Sequence, residues 1–226
     1  MLMTERNHIA AGTGGTERTW IVLVRHGECE GNREGLFRGR HDFPLNESGR
    51  AQARALGGAL ASLPIDQVYT SPLSRARETA EAIASARPCP VETRQAFTDI
   101  ALGTWEGRKK TDVAEEFPVE WGLWLSCPER LHLPGAETLE DVRRRAFASL
   151  ETLVRTREGS TFAVVTHRAV VKPLLAACLR LAEPYFWRFH IDNASYSVLT
   201  HDRDRGYCLV SLNRTDHLAD FVAEWA

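Results

Sequence analysis

Two histidines in this 226-residue chain each follow directly on a short apolar run. Arg25-His26-Gly27-Glu28 comes after Trp20-Ile21-Val22-Leu23-Val24, and Thr166-His167-Arg168 comes after Phe162-Ala163-Val164-Val165. A third step from apolar to polar, Gln67-Val68-Tyr69-Thr70 and then Ser71-Pro72-Leu73-Ser74-Arg75, brings an arginine to the start of a helical pattern. A guanidinium is a planar fork suited to phosphate or carboxylate. Two arginines and two histidines on one rim therefore make a cationic pocket for a dianion, and helix N-termini add to its field. One histidine after a strand is ordinarily a hydrogen-bonded structural residue. Three separate strand ends delivering cations are not something that packing requires.

That reading depends on the elements that carry the residues. The continuous apolar runs are those of buried parallel strands. Helical spacing of Ala, Leu and Gln predicts a helix from Ser48 to Leu63, stopped by Pro64. Gln67 to Thr70 reads as a strand, Ser74 to Ser85 as a helix and Pro90 to Thr93 as a short strand. Thr138, followed three residues on by Asp141, caps a long amphipathic helix to Arg157. Val170 to Leu181 is helical, and Ser195 to Thr200 with Tyr207 to Leu212 form a terminal hairpin around Asp202-Arg203-Asp204-Arg205-Gly206. Phe97 to Pro134, rich in Trp, Gly, Pro and charge, reads as a small helical lid insert. Met1 to Arg18, with Gly12, Gly14 and Gly15, reads as a flexible leader. The expectation is one α/β domain over residues 19–226, a three-layer α/β/α arrangement on a mostly parallel sheet, with ligands beyond the carboxyl ends of its strands.

Composition narrows the partners. With 28 Lys+Arg against 30 Asp+Glu, the net charge of -2 argues against a nucleic-acid surface or a polybasic membrane anchor. Only Lys109, Lys110 and Lys172 are lysines, so an arginine counts as a signal only inside a tight motif. Five cysteines without CxxC spacing, no spanning apolar run and no signal-peptide core point to a cytoplasmic protein without a metal centre. Bulk charge by itself names no partner.

From Trp20 to Leu218 the chain resembles the histidine phosphatase superfamily, in its phosphoglycerate-mutase-like branch. The likeness is carried by RHGECEGN, PLNESGRAQA, YTSPLSRARETA, DIALGTWEG, LPGAETLEDVRRR and VVTHRAVVKPLL. It implies that His26 is the phosphorylated nucleophile, that Arg25, Arg75 and His167 hold the phosphoryl oxygens, that Asn32 lines the pocket, and that no metal or other cofactor is needed. His26 must then present a bare nitrogen, so its other nitrogen needs an acceptor, such as a backbone carbonyl of its loop. Four positions depart from the family pattern. Asp99 stands where a Glu usually serves as general acid and is read as that acid, with Glu106 second and better suited to a structural contact beside Trp105. Cys29 and Asn46 replace threonines, the first as a small buried thiol and the second as a helix cap. Arg168 replaces a glycine. It is read either as a salt-bridge partner or as a further substrate-binding cation, helped by Lys172 one turn later. The ending, through Asp192-Asn193-Ala194-Ser195-Tyr196-Ser197 and His217, is similar to metal-independent phosphoserine phosphatases. What the resemblance implies is a metal-independent phosphatase whose partner is a small phosphorylated metabolite, phosphoserine among the candidates, with a homodimer as an allowed assembly. The alternatives are a phosphoglycerate mutase and a protein that binds a phosphorylated ligand without turnover.

Overall fold

A computed structural model describes residues 18–219. Apart from Arg18, the expected leader lies outside the described residues. The structure contains one six-stranded sheet, with β1 (Thr19–Arg25), β2 (Gln67–Thr70), β3 (Val91–Thr93), β4 (Thr161–Thr166), β5 (Tyr196–Asp202) and β6 (Gly206–Arg214) in the order β3-β2-β4-β1-β5-β6. The first four run parallel; β5 pairs antiparallel with both β1 and β6.

All seven residues of β1 are buried, which is why its sequence is continuously apolar rather than alternating. Its side chains still divide by parity. Ile21 and Leu23 enter one core with Phe162 and Val164, while Trp20, Val22 and Val24 enter the other with Ala163 and Val165. The second core is closed by α2 (Glu47–Leu60) and α3 (Ser74–Ala86), after the single-turn α1 (Glu30–Arg33). The insert supplies α4 (Lys110–Glu116) and α5 (Pro118–Ser126). The first core is closed by α6 (Leu139–Thr156) and α7 (Arg168–Cys178), and the insert's Phe97, Trp105 and Trp124 belong to it.

Element boundaries differ from the sequence reading where capping chemistry is atypical. α7 begins two residues early, at Arg168, because His167 takes the extended N-cap position without a side-chain cap. It ends at Cys178, before Arg180 enters left-handed backbone at φ 53°. α2 starts one residue early because Asn46 Oδ1 accepts from Gly49 N at 2.8 Å. Thr138 and Asp141 form the expected reciprocal cap.

In this sheet order β2, β4 and β1 are adjacent. The three strand ends singled out by their polar residues therefore lie side by side, with the end of β4 in the middle.

Candidate active site

The loop leaving β1 is held almost entirely through backbone. His26 N donates to Thr166 O and Ala194 N donates to His26 O, both at 3.0 Å, and Asn193 Nδ2 donates to His26 O at 3.1 Å and to Gly27 O at 3.3 Å. Gly27 N donates to Thr79 Oγ1 of α3 at 3.1 Å. A Cβ at Gly27 would lie 2.6 Å from Gly49 O, so only glycine lets this loop rest on the first turn of α2. His26 Nδ1 contacts Gly27 O at 2.6 Å. A carbonyl oxygen only accepts, so Nδ1 carries the proton and Nε2 keeps its lone pair.

His167, at the end of β4, is 1% exposed, and its ring centroid lies 5.1 Å from that of His26. Its Nε2 meets Ser71 Oγ at 2.7 Å. That hydroxyl accepts from Leu73 N at 3.3 Å, and on the other side of the ring Nδ1 lies 3.5 Å from Asp99 Oδ2, an arrangement that suits a ring proton on Nδ1 facing the carboxylate. Ser71 thus holds the His167 ring in place; it is visible in the sequence only as the residue after a strand.

Arg75 is fully buried in the first turn of α3. Its Nη2 donates to Gly39 O at 2.8 Å and to Asp99 Oδ2 at 3.0 Å, and its Nη1 donates to His41 O at 3.0 Å. Arg25, also fully buried, donates from Nη1 to Ile191 O at 2.8 Å. The second carboxyl oxygen of Asp99 accepts from Ile100 N at 2.9 Å. Its backbone carbonyl accepts from Arg145 Nη2 at 3.1 Å, so a helix arginine that sequence spacing could not single out steers Asp99. His26, Arg75, His167 and Asp99 thus converge, and His26, Asp99 and Arg168 line one pocket.

The remaining candidates are placed differently. Asn32 Oδ1 accepts from Cys29 N at 3.1 Å and from Asn193 Nδ2 at 3.4 Å, so its acceptor is engaged within the loop. Cys29 is a buried thiol that donates to the same oxygen. Glu106 accepts from Leu102 N and Arg40 N, the structural role expected of it. Arg168 sits over Trp187 at 5.7 Å. Lys172 is 2% exposed, with its ammonium 4.3 Å from the Phe186 ring and 4.5 Å from the Trp187 ring, behind the pocket wall. His217 Nε2 meets Ala194 O at 3.0 Å, and Ala194 N in turn donates to His26 O. Arg38 is not singled out by the sequence, yet it lines the pocket.

Burial first, then the field of Arg75, holds both His26 and His167 well below the ordinary histidine range. The His26 ring also feels His167, Arg25 and Arg38, and the His167 ring feels Arg38, Arg25 and Arg145. Both rings are neutral in the folded chain, whereas the unfolded chain protonates them below about pH 6.5. The unfolded state then binds more protons, so stability is full above that pH and falls below it. The two rings together contribute a slope of up to about 3 kcal/mol per pH unit until the folded-state values are reached. Urea midpoints should therefore drop between about pH 7 and about pH 5.5; a level midpoint over that window would contradict the buried neutral pair.

Among the described residues no group of three or more His, Cys, Asp and Glu side chains is arranged to hold a metal ion, and no helix is long and apolar enough to cross a membrane.

Comparison with known proteins agrees with this geometry. The family model of the histidine phosphatase superfamily, branch 1, matches residues 21–215. The chain is 34% identical over 204 residues to phosphoserine phosphatase 1 of Hydrogenobacter thermophilus, covering 90% of this chain and 96% of that one. It is 29% identical over 182 residues to the adenosylcobalamin/alpha-ribazole phosphatase of Salmonella typhimurium, covering 80% and 89%. Among solved structures it is similar to Bacillus stearothermophilus YhfR, with a TM-score of 0.84 at 30% identity over 88% of this chain and 98% of that one. It is also similar to a mutant phosphoserine phosphatase from Entamoeba histolytica in complex with phosphoserine, with a TM-score of 0.79 at 26% identity over 88% and 99%. A family match over nearly the whole of the described fold, together with these relatives, shows that the chain belongs to branch 1 of the histidine phosphatase superfamily and is a phosphoric monoester hydrolase.

Proposed function

We propose that the chain hydrolyses a small phosphorylated metabolite of the phosphoserine class, without a metal, through a phosphohistidine on His26. The observation that carries this reading is the 2.6 Å contact from His26 Nδ1 to Gly27 O, which leaves Nε2 as the free lone pair beside two guanidinium groups. In the first step Nε2 forms a bond to phosphorus while the ester P–O bond breaks, and Asp99 gives a proton to the departing alkoxide. Arg25, Arg75 and the Nδ1–H of His167 hold the phosphoryl oxygens as charge spreads over them. In the second step Asp99 takes a proton from water, whose oxygen bonds to phosphorus as the P–N bond breaks, and inorganic phosphate departs. Splitting hydrolysis in this way replaces one difficult displacement with two easier ones.

Asn32 serves this site by fixing the loop, Arg168 by facing the organic part of the substrate, and Lys172 by backing the aromatic wall that Arg168 leans on. The substrate class is supported by the named activity of the Hydrogenobacter relative and by the phosphoserine held in the Entamoeba structure. A cytoplasmic location is supported by the five cysteines, all of them free thiols suited to a reducing compartment.

The test is to trap the intermediate. Denaturant-quenched enzyme incubated with labelled phosphoserine should carry an acid-labile phosphoryl group in wild type and none in His26→Ala. Phosphate release should persist in excess EDTA and need no bisphosphorylated primer. Activity lost to EDTA and restored by a divalent cation would defeat metal independence, and a label that survives His26→Ala would move the nucleophile elsewhere.

A further inference from the structure

The apolar wall of the pocket is assembled from two stretches of chain far apart in sequence. Trp124 comes from α5 of the insert and Phe186 from the segment after α7, and both line the pocket beside His26. Their rings lie 5.6 Å apart, and Trp187 stands edge-on to each, at 5.6 Å from Trp124 and 4.9 Å from Phe186. Phe186 is fully buried, so its place sets the room left for a ligand. Hydrophobic contact is non-directional. Directed bonds are needed to fix where the second stretch stands against the first.

Three such bonds cross between them. Trp187 Nε1 donates to Trp124 O at 2.8 Å. Glu129, in the single 3-10 turn Pro128–Arg130, accepts on Oε1 from Tyr185 N at 2.6 Å and from Phe186 N at 2.7 Å. Glu129 is 6% exposed, and its other oxygen accepts from Cys127 Sγ at 3.5 Å. All three partners are uncharged donors. A carboxylate is costly to bury unless hydrogen bonds replace its water, and the amides that open a helical turn have no partner within it. Tyr185, the residue before the 3-10 turn Phe186–Arg188, brings no side-chain cap of its own. One contact between the insert and the segment after α7 meets both needs. Glu129 is not among the described residues that line the pocket, and no step of the proposed reaction uses it.

We propose that Glu129 is a positioning residue for the organic part of the substrate. By holding the amides of Tyr185 and Phe186 it fixes the Phe186 ring against Trp124, and so sets the shape of the wall that the ester's carbon atoms meet. It takes no part in moving the phosphoryl group. This inference rests on the reading of the site given above, in which that group sits among Arg25, His26, Arg75 and His167. What matters in it is the reach of the carboxylate to two amides, not its charge.

Two probes separate the wall from the phosphoryl site. p-Nitrophenyl phosphate carries a ring that must fit against the wall, whereas orthovanadate has no organic part and reports on the phosphoryl site alone. In Glu129→Ala, kcat/KM for p-nitrophenyl phosphate should fall roughly 3- to 12-fold, the worth of one aromatic contact. Uniform binding being what is lost, kcat and the orthovanadate inhibition constant should both stay within about twofold of wild type. Glu129→Gln, whose amide oxygen still reaches both N–H groups, should recover most of the loss. Glu129→Asp keeps the charge but draws the acceptor back by one methylene, and it should show the same split as Ala; it serves as the test if Ala does not fold. A merely structural role gives a different pattern, since a smaller folded fraction lowers kcat and leaves KM alone. That pattern, an equal weakening of orthovanadate, or a Gln variant as impaired as Asp would overturn the proposal. Wild-type turnover by His26→Ala would instead reject the reading of the site, with the split between ester and orthovanadate still deciding the role of Glu129.

Discussion

Replacing Asp99 with Asn should slow phosphoryl transfer from phosphoserine to His26 by about 10²–10⁴-fold, the usual worth of general acid catalysis. A serine alkoxide needs a proton as it departs, whereas p-nitrophenolate leaves almost unaided. The first step with p-nitrophenyl phosphate should therefore be slowed far less. In the proposed mechanism Asp99 also activates water, so the second step should suffer for both substrates. The chromogenic reaction should then show a burst of about one p-nitrophenolate per site followed by slow turnover, with phosphohistidine accumulating. The substitution is a fair test because the amide oxygen can still accept from Arg75 Nη2. The cost is that Ile100 N–H and Arg75, which now use separate carboxylate oxygens, would compete for one. A stability loss of about 1–3 kcal/mol should accompany the kinetic effect. Wild-type turnover of phosphoserine by Asp99→Asn would move the acid elsewhere, with Glu106 next to be tested.

The second large effect belongs to Arg75. Arg75→Met removes one of the two guanidiniums proposed to hold the phosphoryl group, and kcat/KM should fall by about 10²–10³-fold for every substrate, as when a preorganised oxyanion donor is lost. The same change strands Gly39 O, His41 O and the Asp99 carboxylate, all of which Arg75 now serves. Breaking a buried ion pair from one side typically costs about 3–5 kcal/mol. A third consequence runs through charge. Arg75 is the largest electrostatic influence, after burial, holding both histidines in their neutral forms. Without it, both rings should protonate more easily, and the acid limb of the kcat/KM profile should move toward neutral pH. Profiles for p-nitrophenyl phosphate together with urea unfolding would check all three, and a variant within about fivefold of wild type would remove Arg75 from the phosphoryl site.

Much of this site is legible in the sequence because its residues sit where a strand stops. Ile21 to Val24 and Phe162 to Val165 are unbroken apolar runs, and the polarity change after each marks the sheet's carboxyl edge without knowledge of the fold. Thr138 and Asp141 are legible for a similar reason, since a reciprocal cap is a contact between residues three apart. Arg38, Ser71 and Arg145 are not legible. Ser71 and Arg145 act through contacts with His167 and the Asp99 carbonyl, which are distant in sequence, and Arg38 through its place in the pocket; in a chain whose basic residues are nearly all arginine the residue type carries little information. Arg145 is one of three consecutive arginines, and only the packing of α6 shows that it, and not Arg143 or Arg144, reaches the Asp99 carbonyl. The start of α7 escapes a sequence reading because an uncapped N-terminus leaves no polar signature.

His26 lies in the loop that leaves β1, yet several of the groups that secure this loop come from residues 191–194, about 170 positions later. Arg25 reaches Ile191 O, and Asn193 and Ala194 hold the His26 carbonyl. At roughly 5–20 residues per second a ribosome separates these two segments by about 10–30 s. Throughout that interval the emerging chain has its reactive histidine but not the clasp that gives it a single orientation. In the proposed mechanism, phosphoryl transfer therefore waits until residues 191–194 have been made and have closed on the β1 loop. A nascent chain arrested before residue 191 should be catalytically silent even with all four parallel strands already translated.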